Sequence, residues 1–297
     1  MARTSATQAV LLFSFVQLEF PWVLGPADGR HVLRAGPSSE LEQIVVLATL
    51  GAPRRHTVRR RAGRHRPTTS NPAPVATARA TVIDSARPLS DEQDAARWLR
   101  GLDQHDVTRH GVATVNRVLF AHRIATADPQ VHEVSADQAL VVRAGFGTGP
   151  DVADGRWLVA RELMAAAPRR QRRTSALRPQ ERLALLLGGR DQALICEELT
   201  LRARLDVEQG RLAHAALSLR DAYSSALSEI AADGRLDLSD RLSELHGLSE
   251  QVHEAAAGVS RARSVGAAEP IGEAPLRHAL ERLEAALRAR SAGGFEH

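Results

Sequence analysis

Hydrophobic and polar positions alternate with period two through much of the first 160 residues. From Val10 to Phe20 the run VLLFSFVQLEF sets Gln17 and Glu19 between Val16, Leu18 and Phe20. That alternation predicts a half-buried strand, interrupted by Pro21. Gly25-Pro26-Ala27-Asp28-Gly29 is a turn signal, and His31–Arg34 follows as a short return strand, so the pair reads as a β-hairpin. Ile44–Leu50 and Val75–Ile83 read as two more strands. Ala139–Phe146 and Trp157–Val159 then flank a second turn, Ala153-Asp154-Gly155-Arg156, which repeats the tetrapeptide of the first. An Asp-Gly turn with positive φ is expected at both places.

Period 3.6 appears within this region and then takes over. Ser90 with Gln93 forms a capping box before Ala95, Trp98, Leu99 and Leu102, which predicts a helix over 90–102. A second helix is expected over 107–127, with Val112, Val115, Leu119 and Ile124 inward and Asp128-Pro129 as its end. Past residue 178 the pattern is wholly helical. Pro179 fits a first helical turn, ahead of Leu183, Leu186 and Leu187, and Gly188-Gly189 stops it. A long stripe runs through Leu194, Leu201, Leu205, Leu212, Ala216, Leu219, Tyr223, Leu227 and Ile230. Gly210 either bends this helix or separates two shorter ones. Leu238–Val252 and a helix opened by Pro275 complete the series, with 258–274 as a Gly/Ala-rich linker and a frayed tail from Ser291.

The expectation is an α+β fold: an N-terminal antiparallel sheet of about six strands with two inserted helices, then a C-terminal helical bundle. The predicted domains are 1–167 and 179–297, joined by a basic linker at 168–178. At 297 residues and 43% apolar the chain suffices for either one large core or two ordinary ones.

Charge adds a second layer. All 39 Lys+Arg residues are Arg, and only Asn71 and Asn116 are Asn, a composition expected of a high-GC bacterial genome. Residues 1–170 hold 22 Arg against 16 Asp+Glu, and residues 171–297 hold 17 against 19. The excess is concentrated. Residues 54–74 read RRHTVRRRAGRHRPTTSNPAP, with no acid and three prolines, and are predicted to be a disordered loop. Arg54, Arg55, Arg59, Arg60, Arg61, Arg64 and Arg66 suit a phosphate backbone, with His56 and His65 beside them. Arg169, Arg170, Arg172 and Arg173 extend that footprint if both stretches lie on one side. No aromatic is interleaved, which argues against base stacking on this stretch.

Other chemistry is thin. Cys196 is the single cysteine, so no intrachain disulfide forms and a reducing cytoplasm fits. Its neighbours Glu197 and Glu198 disfavour a thiolate nucleophile. Gln17 and Glu19 interrupt the one stretch, Ala9–Leu24, that resembles a targeting signal, and no apolar run is long enough to span a membrane. Gly145-Phe146-Gly147-Thr148-Gly149 follows a strand, but with Pro150 next and no Lys it reads as a hairpin loop rather than a phosphate cradle. His105, His110, His122, His246 and His253 are not accompanied by a ligand set, so neither metal nor cofactor is expected. No G-x-S-x-G elbow occurs.

The strings FSFVQLEFPWVLGPADGR (13–30), QALVVRAGFGTGPDVADGRW (138–157) and LRPQERLALLLGGRDQALICEELTLRARLDVEQGR (177–211) resemble an uncharacterised family of high-GC bacterial proteins. The resemblance implies that sheet and helices belong to one architecture and transfers no site residue.

Three functional readings follow. The first is a non-enzymatic cytoplasmic protein that binds an anionic partner, RNA or DNA, through the arginine-rich stretches. The second is a protein–protein adaptor or homo-oligomer using the helix face of Leu201, Leu205, Leu212, Leu219, Tyr223 and Leu227. The third is an enzyme whose residues converge only in space.

Overall fold

The computed structural model describes residues 11–34, 39–51, 75–163, 173–265 and 272–293, with side chains from 179 in the first C-terminal helix and up to 262 and 292 in the last two. It divides into two units, 1–169 and 170–297. The fold is mixed α+β, with a six-stranded antiparallel sheet in the N-terminal half and mostly C-terminal helices.

The strands are β1 (Leu12–Phe20), β2 (Gly29–Arg34), β3 (Leu41–Leu50), β4 (Thr77–Asp84), β5 (Val141–Thr148) and β6 (Val159–Glu162). Their order across the sheet is β2-β3-β4-β1-β5-β6. Alternation sends Val16, Leu18 and Phe20 to one face, under α1 (Glu92–Arg100) and α2 (Gln104–Thr126). Phe15, Val46 and Ile83 take the other face, where the short α3 (Gly149–Ala153) covers them with Val152. Gly145 is required by close approach: a Cβ there would lie 2.2 Å from the Val159 carbonyl oxygen and 2.8 Å from Ala160 Cα. Both Asp-Gly turns have positive φ, 151° at Gly29 and 80° at Gly155.

Several elements differ from the sequence pattern. β1 and β2 do not form a hairpin; β2 pairs with β3 at the sheet edge. The more continuous apolar runs of β3 and β4 fill the inner positions. GRHVLR, with one buried residue, suits an edge. The expected β5–β6 pairing is present. In place of the expected hairpin loop, Gly145 and Gly147 lie inside β5, and a short helix opens at Gly149 with Pro150 in its first turn. The cap of α1 is Asp91, whose carboxylate accepts from the Asp94 N–H, one residue later than the Ser90 box.

The second unit holds α4 (Arg173–Leu187), α5 (Ile195–Glu208), α6 (Leu212–Ala232), α7 (Ser239–Val265) and α8 (Glu273–Gly293). Gly210, at φ 70°, separates α5 from α6 and lets them fold back on each other. Their facing stripes meet α7 and α8 in one core of Ala215, Leu219, Tyr223, Leu245, Leu276 and Leu283. Three boundaries move. Pro179 lies inside α4, where its missing N–H removes one rung of the helix ladder. α7 runs into the expected linker as far as 265, because Val252, Ala256 and Val259 continue its buried stripe. α8 continues past Ser291 to 293.

Candidate functional site

The strand ends nearest the arginine-rich stretches in the sequence are those of β3, β4 and β6. Leu50 pairs with Thr77, Ala78 with Phe20, Glu19 with Val141 and Arg143 with Glu162. The end of β3, the start of β4 and the end of β6 therefore lie at one end of the sheet. The span from β3 to β6 is four strand spacings, about 19 Å at ~4.8 Å each. Residues 52–74 connect β3 to β4, and residues 164–172 follow β6. Arg54, Arg55, Arg59, Arg60, Arg61, Arg64, Arg66, Arg169, Arg170 and Arg172 themselves lie outside the described residues, as does the Arg173 side chain.

The same end carries a polar cluster inside the sheet. Register places Glu19 beside Arg79 on β4, and Gln17 beside Arg143 on β5 and Thr81 on β4. Arg79 Nε and Arg143 Nη1 donate to Glu19 Oε1 at 3.1 and 2.9 Å. Arg143 also donates to Gln17 Oε1 at 3.3 Å, and Gln17 Nε2 donates to Thr81 Oγ1 at 3.0 Å. Gln17 is 1% exposed and Thr81 3%, so these bonds satisfy groups cut off from water. Two guanidinium groups share one carboxylate, which leaves the trio with one positive charge. The turn after α3 closes over it: a Cβ at Gly155 would lie 3.0 Å from Arg79 Nη1. Nearby, Arg30 of the first Ala-Asp-Gly-Arg pairs with Asp154 of the second at 3.5 Å.

The helical unit offers a groove of about 760 Å³ between α4, α5 and α8. Pro179, Leu186, Leu194, Leu201 and Leu287 supply its apolar lining. Arg182 crosses from α4 to Glu197 at 2.6 Å and Asp191 at 3.3 Å. Burial opposes its charge, but the two carboxylates prevail and raise the guanidinium pKa above its ordinary value. Arg204 and Arg288 share Glu284 on the far flank. Of the face expected to meet a partner, Leu201 borders this groove and is 58% exposed. Leu205, Leu212 and Leu227 are half-buried, and Leu219 and Tyr223 are enclosed in the bundle's own core. The stripe on α6 faces inward to α5, α7 and α8, so it is packing rather than docking surface.

Cys196 is buried at the start of α5. Desolvation, with the Glu229 carboxylate beside it, pushes its thiol pKa well up, which keeps it inert. Glu229 accepts from the Ile195 and Cys196 N–H groups at 3.1 and 3.0 Å and so caps α5 from α6. Burial works against the Glu229 charge, yet these donors hold its carboxyl below the usual range. His253 sits between Ser249 and Ser224 on exposed helix surface. No group of three His, Cys, Asp or Glu among the described residues suits a metal ion. No helix among them is long and apolar enough to cross a membrane.

The fold and sites define a two-unit α+β chain with a charged sheet end and an apolar helical groove. No family model, curated protein or solved structure matches it. Neither site was located from sequence. Arg79 and Arg143 are isolated arginines inside strands, and their meeting at Glu19 depends on a register that alternation does not give. The groove depends on which helices are neighbours.

Proposed function

We propose that this chain is an intracellular, non-enzymatic binding protein whose partner is the phosphate backbone of RNA or DNA. The contacts come from Arg54–Arg66 and Arg169–Arg173. One observation supports this reading: the ends of β3, β4 and β6, next to which the two acid-free stretches stand in the sequence, lie at the same end of one sheet. Guanidinium groups grip phosphate oxygens in a fork that ammonium groups lack, and such contacts are indifferent to base sequence. The +1 trio of Glu19, Arg79 and Arg143 at that end adds to the attraction. The single Cys196, kept as a buried thiol, accords with a reducing cytoplasm.

Electrophoretic shift of a labelled oligonucleotide at low and moderate salt tests the reading. The full chain is expected to retard the oligonucleotide at low salt and to lose it as salt rises. Replacement of both stretches by Ser/Gly is expected to abolish the shift. No shift by the full chain, or a shift unaffected by the replacement, refutes it.

A further inference from the structure

We infer, resting on the nucleic-acid reading above, that Trp22 is a stacking platform for an unpaired base, so that the anionic partner is a single-stranded nucleic acid and not a duplex.

Residues 21–28 join β1 to β2. Phe20 pairs with Ala78, beside the start of β4. At the other end of the connection, Asp28 accepts from the Thr49 N–H and hydroxyl at 2.9 and 2.8 Å, beside the end of β3. The connection therefore passes the ends of β4 and β3, the two strands next to which residues 52–74 stand in the sequence. β1 and β3 flank β4 and are two strand spacings apart, about 10 Å at ~4.8 Å each.

The connection is tied down from within. Leu24 and Pro26 are buried, Leu24 in the core under α1 and α2. Gly25, at φ 107°, lies close to α2, where a Cβ would stand 3.6 Å from the His122 ring. Trp22 and Val23 face outward, 39% and 51% exposed. The Trp22 ring lies against that of Phe20, with centroids 6.0 Å apart and planes tilted by 45°, and Phe20 itself is fully buried. One side of the indole is thus held by the core while the rest meets solvent. A ring fixed in this way loses little freedom when a ligand stacks on it.

Its place in the chain's chemistry is distinctive. Aromatic residues make up 3% of the sequence, and among the described residues Trp22 is the only exposed one. Residues 20–27 carry no charge, and the acid that precedes them, Glu19, is held by Arg79 and Arg143. A nucleotide pairs a flat uncharged base with an anionic phosphate, so an indole at the sheet end nearest the arginine-rich stretches matches both of its parts. Phosphate contacts alone do not distinguish single strands from duplexes. Stacking does: a duplex base is already covered on both faces by its neighbours, whereas an unpaired base of any identity can turn onto an aromatic ring.

Titration of a dye-labelled oligothymidylate, and of a duplex of the same length, with the full chain tests this. The wild-type chain is expected to bind the single strand more tightly. Trp22→Ala is expected to weaken single-strand binding about fivefold or more and to leave duplex binding unchanged. Trp22→Leu, which keeps an apolar cover on Phe20 and has no π face, should lose as much, and Trp22→Phe should lose less. Circular dichroism checks that each variant is folded, and the Leu variant is read if the Ala variant is not. Tryptophan emission should be quenched by the single strand in the wild-type chain and not in Trp22→Phe. If the chain binds neither nucleic acid, the nucleic-acid reading fails and this inference with it. If it binds but the folded Ala and Leu variants hold the single strand as tightly as wild type, lose both forms equally, or the duplex is preferred, the inference alone is overturned.

Discussion

Arginines on the helical unit sit against carboxylates: Arg204 with Glu284, Arg211 with Asp206, Arg290 with Asp233, and Arg182 between Asp191 and Glu197. Strand arginines of the sheet unit do likewise, with Arg79 and Arg143 on Glu19. The stretches at 54–66 and 169–173 contain no acid at all. A compositional bias against lysine would account for the residue type everywhere. It does not explain why acids accompany arginine within the elements and are missing from these two stretches. That difference is the physical content of the anion-binding reading.

The two units also differ in what holds them. The helical core is built from alanine and leucine around Tyr223, whose hydroxyl donates to the Ala279 carbonyl at 2.8 Å. Tyr223→Ala is expected to cost the helical unit about 3–5 kcal/mol, the range for emptying a large aromatic site. Hydrogen exchange should show lost protection in α6 and α8 with β1 and β4 unchanged. Equal loss in both units would mean that they unfold as one.

The sheet unit rests on close backbone approach and register instead. Gly145→Ala forces a Cβ against the Val159 carbonyl and is expected to cost about 1–3 kcal/mol, read from the denaturation midpoint. Its exchange signature should be the reverse, confined to β5 and β6.

The smallest effect concerns the cap of α5. The Glu229 carboxyl is held below its ordinary pKa, so its contribution is present above that ordinary value and disappears as pH falls through the depressed one. Glu229→Gln is expected to cost about 1 kcal/mol at neutral pH and nothing in acid, so the stability difference should vanish on acidification. A constant difference across that range would contradict the capping role.

Much of this architecture was legible in the sequence, for identifiable reasons. β1 was visible because Gln17 and Glu19 break its apolar run with period two, and the α6 stripe because Leu219, Tyr223 and Ile230 recur at helical spacing. The partner of β2 was not, because a turn signal tells where the chain reverses and not which strand it then lies beside. The stripe of α5 and α6 suggests a docking face for a related reason: periodicity marks an apolar side without saying whether the chain itself covers it. The sequence pattern ends α7 too early because its Ala/Gly-rich end lacks leucines, while Ala256 and Val259 are small enough to pack there.

The most direct test is the salt dependence of oligonucleotide affinity for the full chain and for the chain with both stretches replaced by Ser/Gly. For phosphate contacts, log K should fall linearly with log salt by about 0.7–0.9 per contact, and the replaced chain should show a far shallower slope or no binding. Equal slopes for the two proteins, or no affinity for the oligonucleotide at low salt, would contradict the claim that these stretches bind a phosphate backbone.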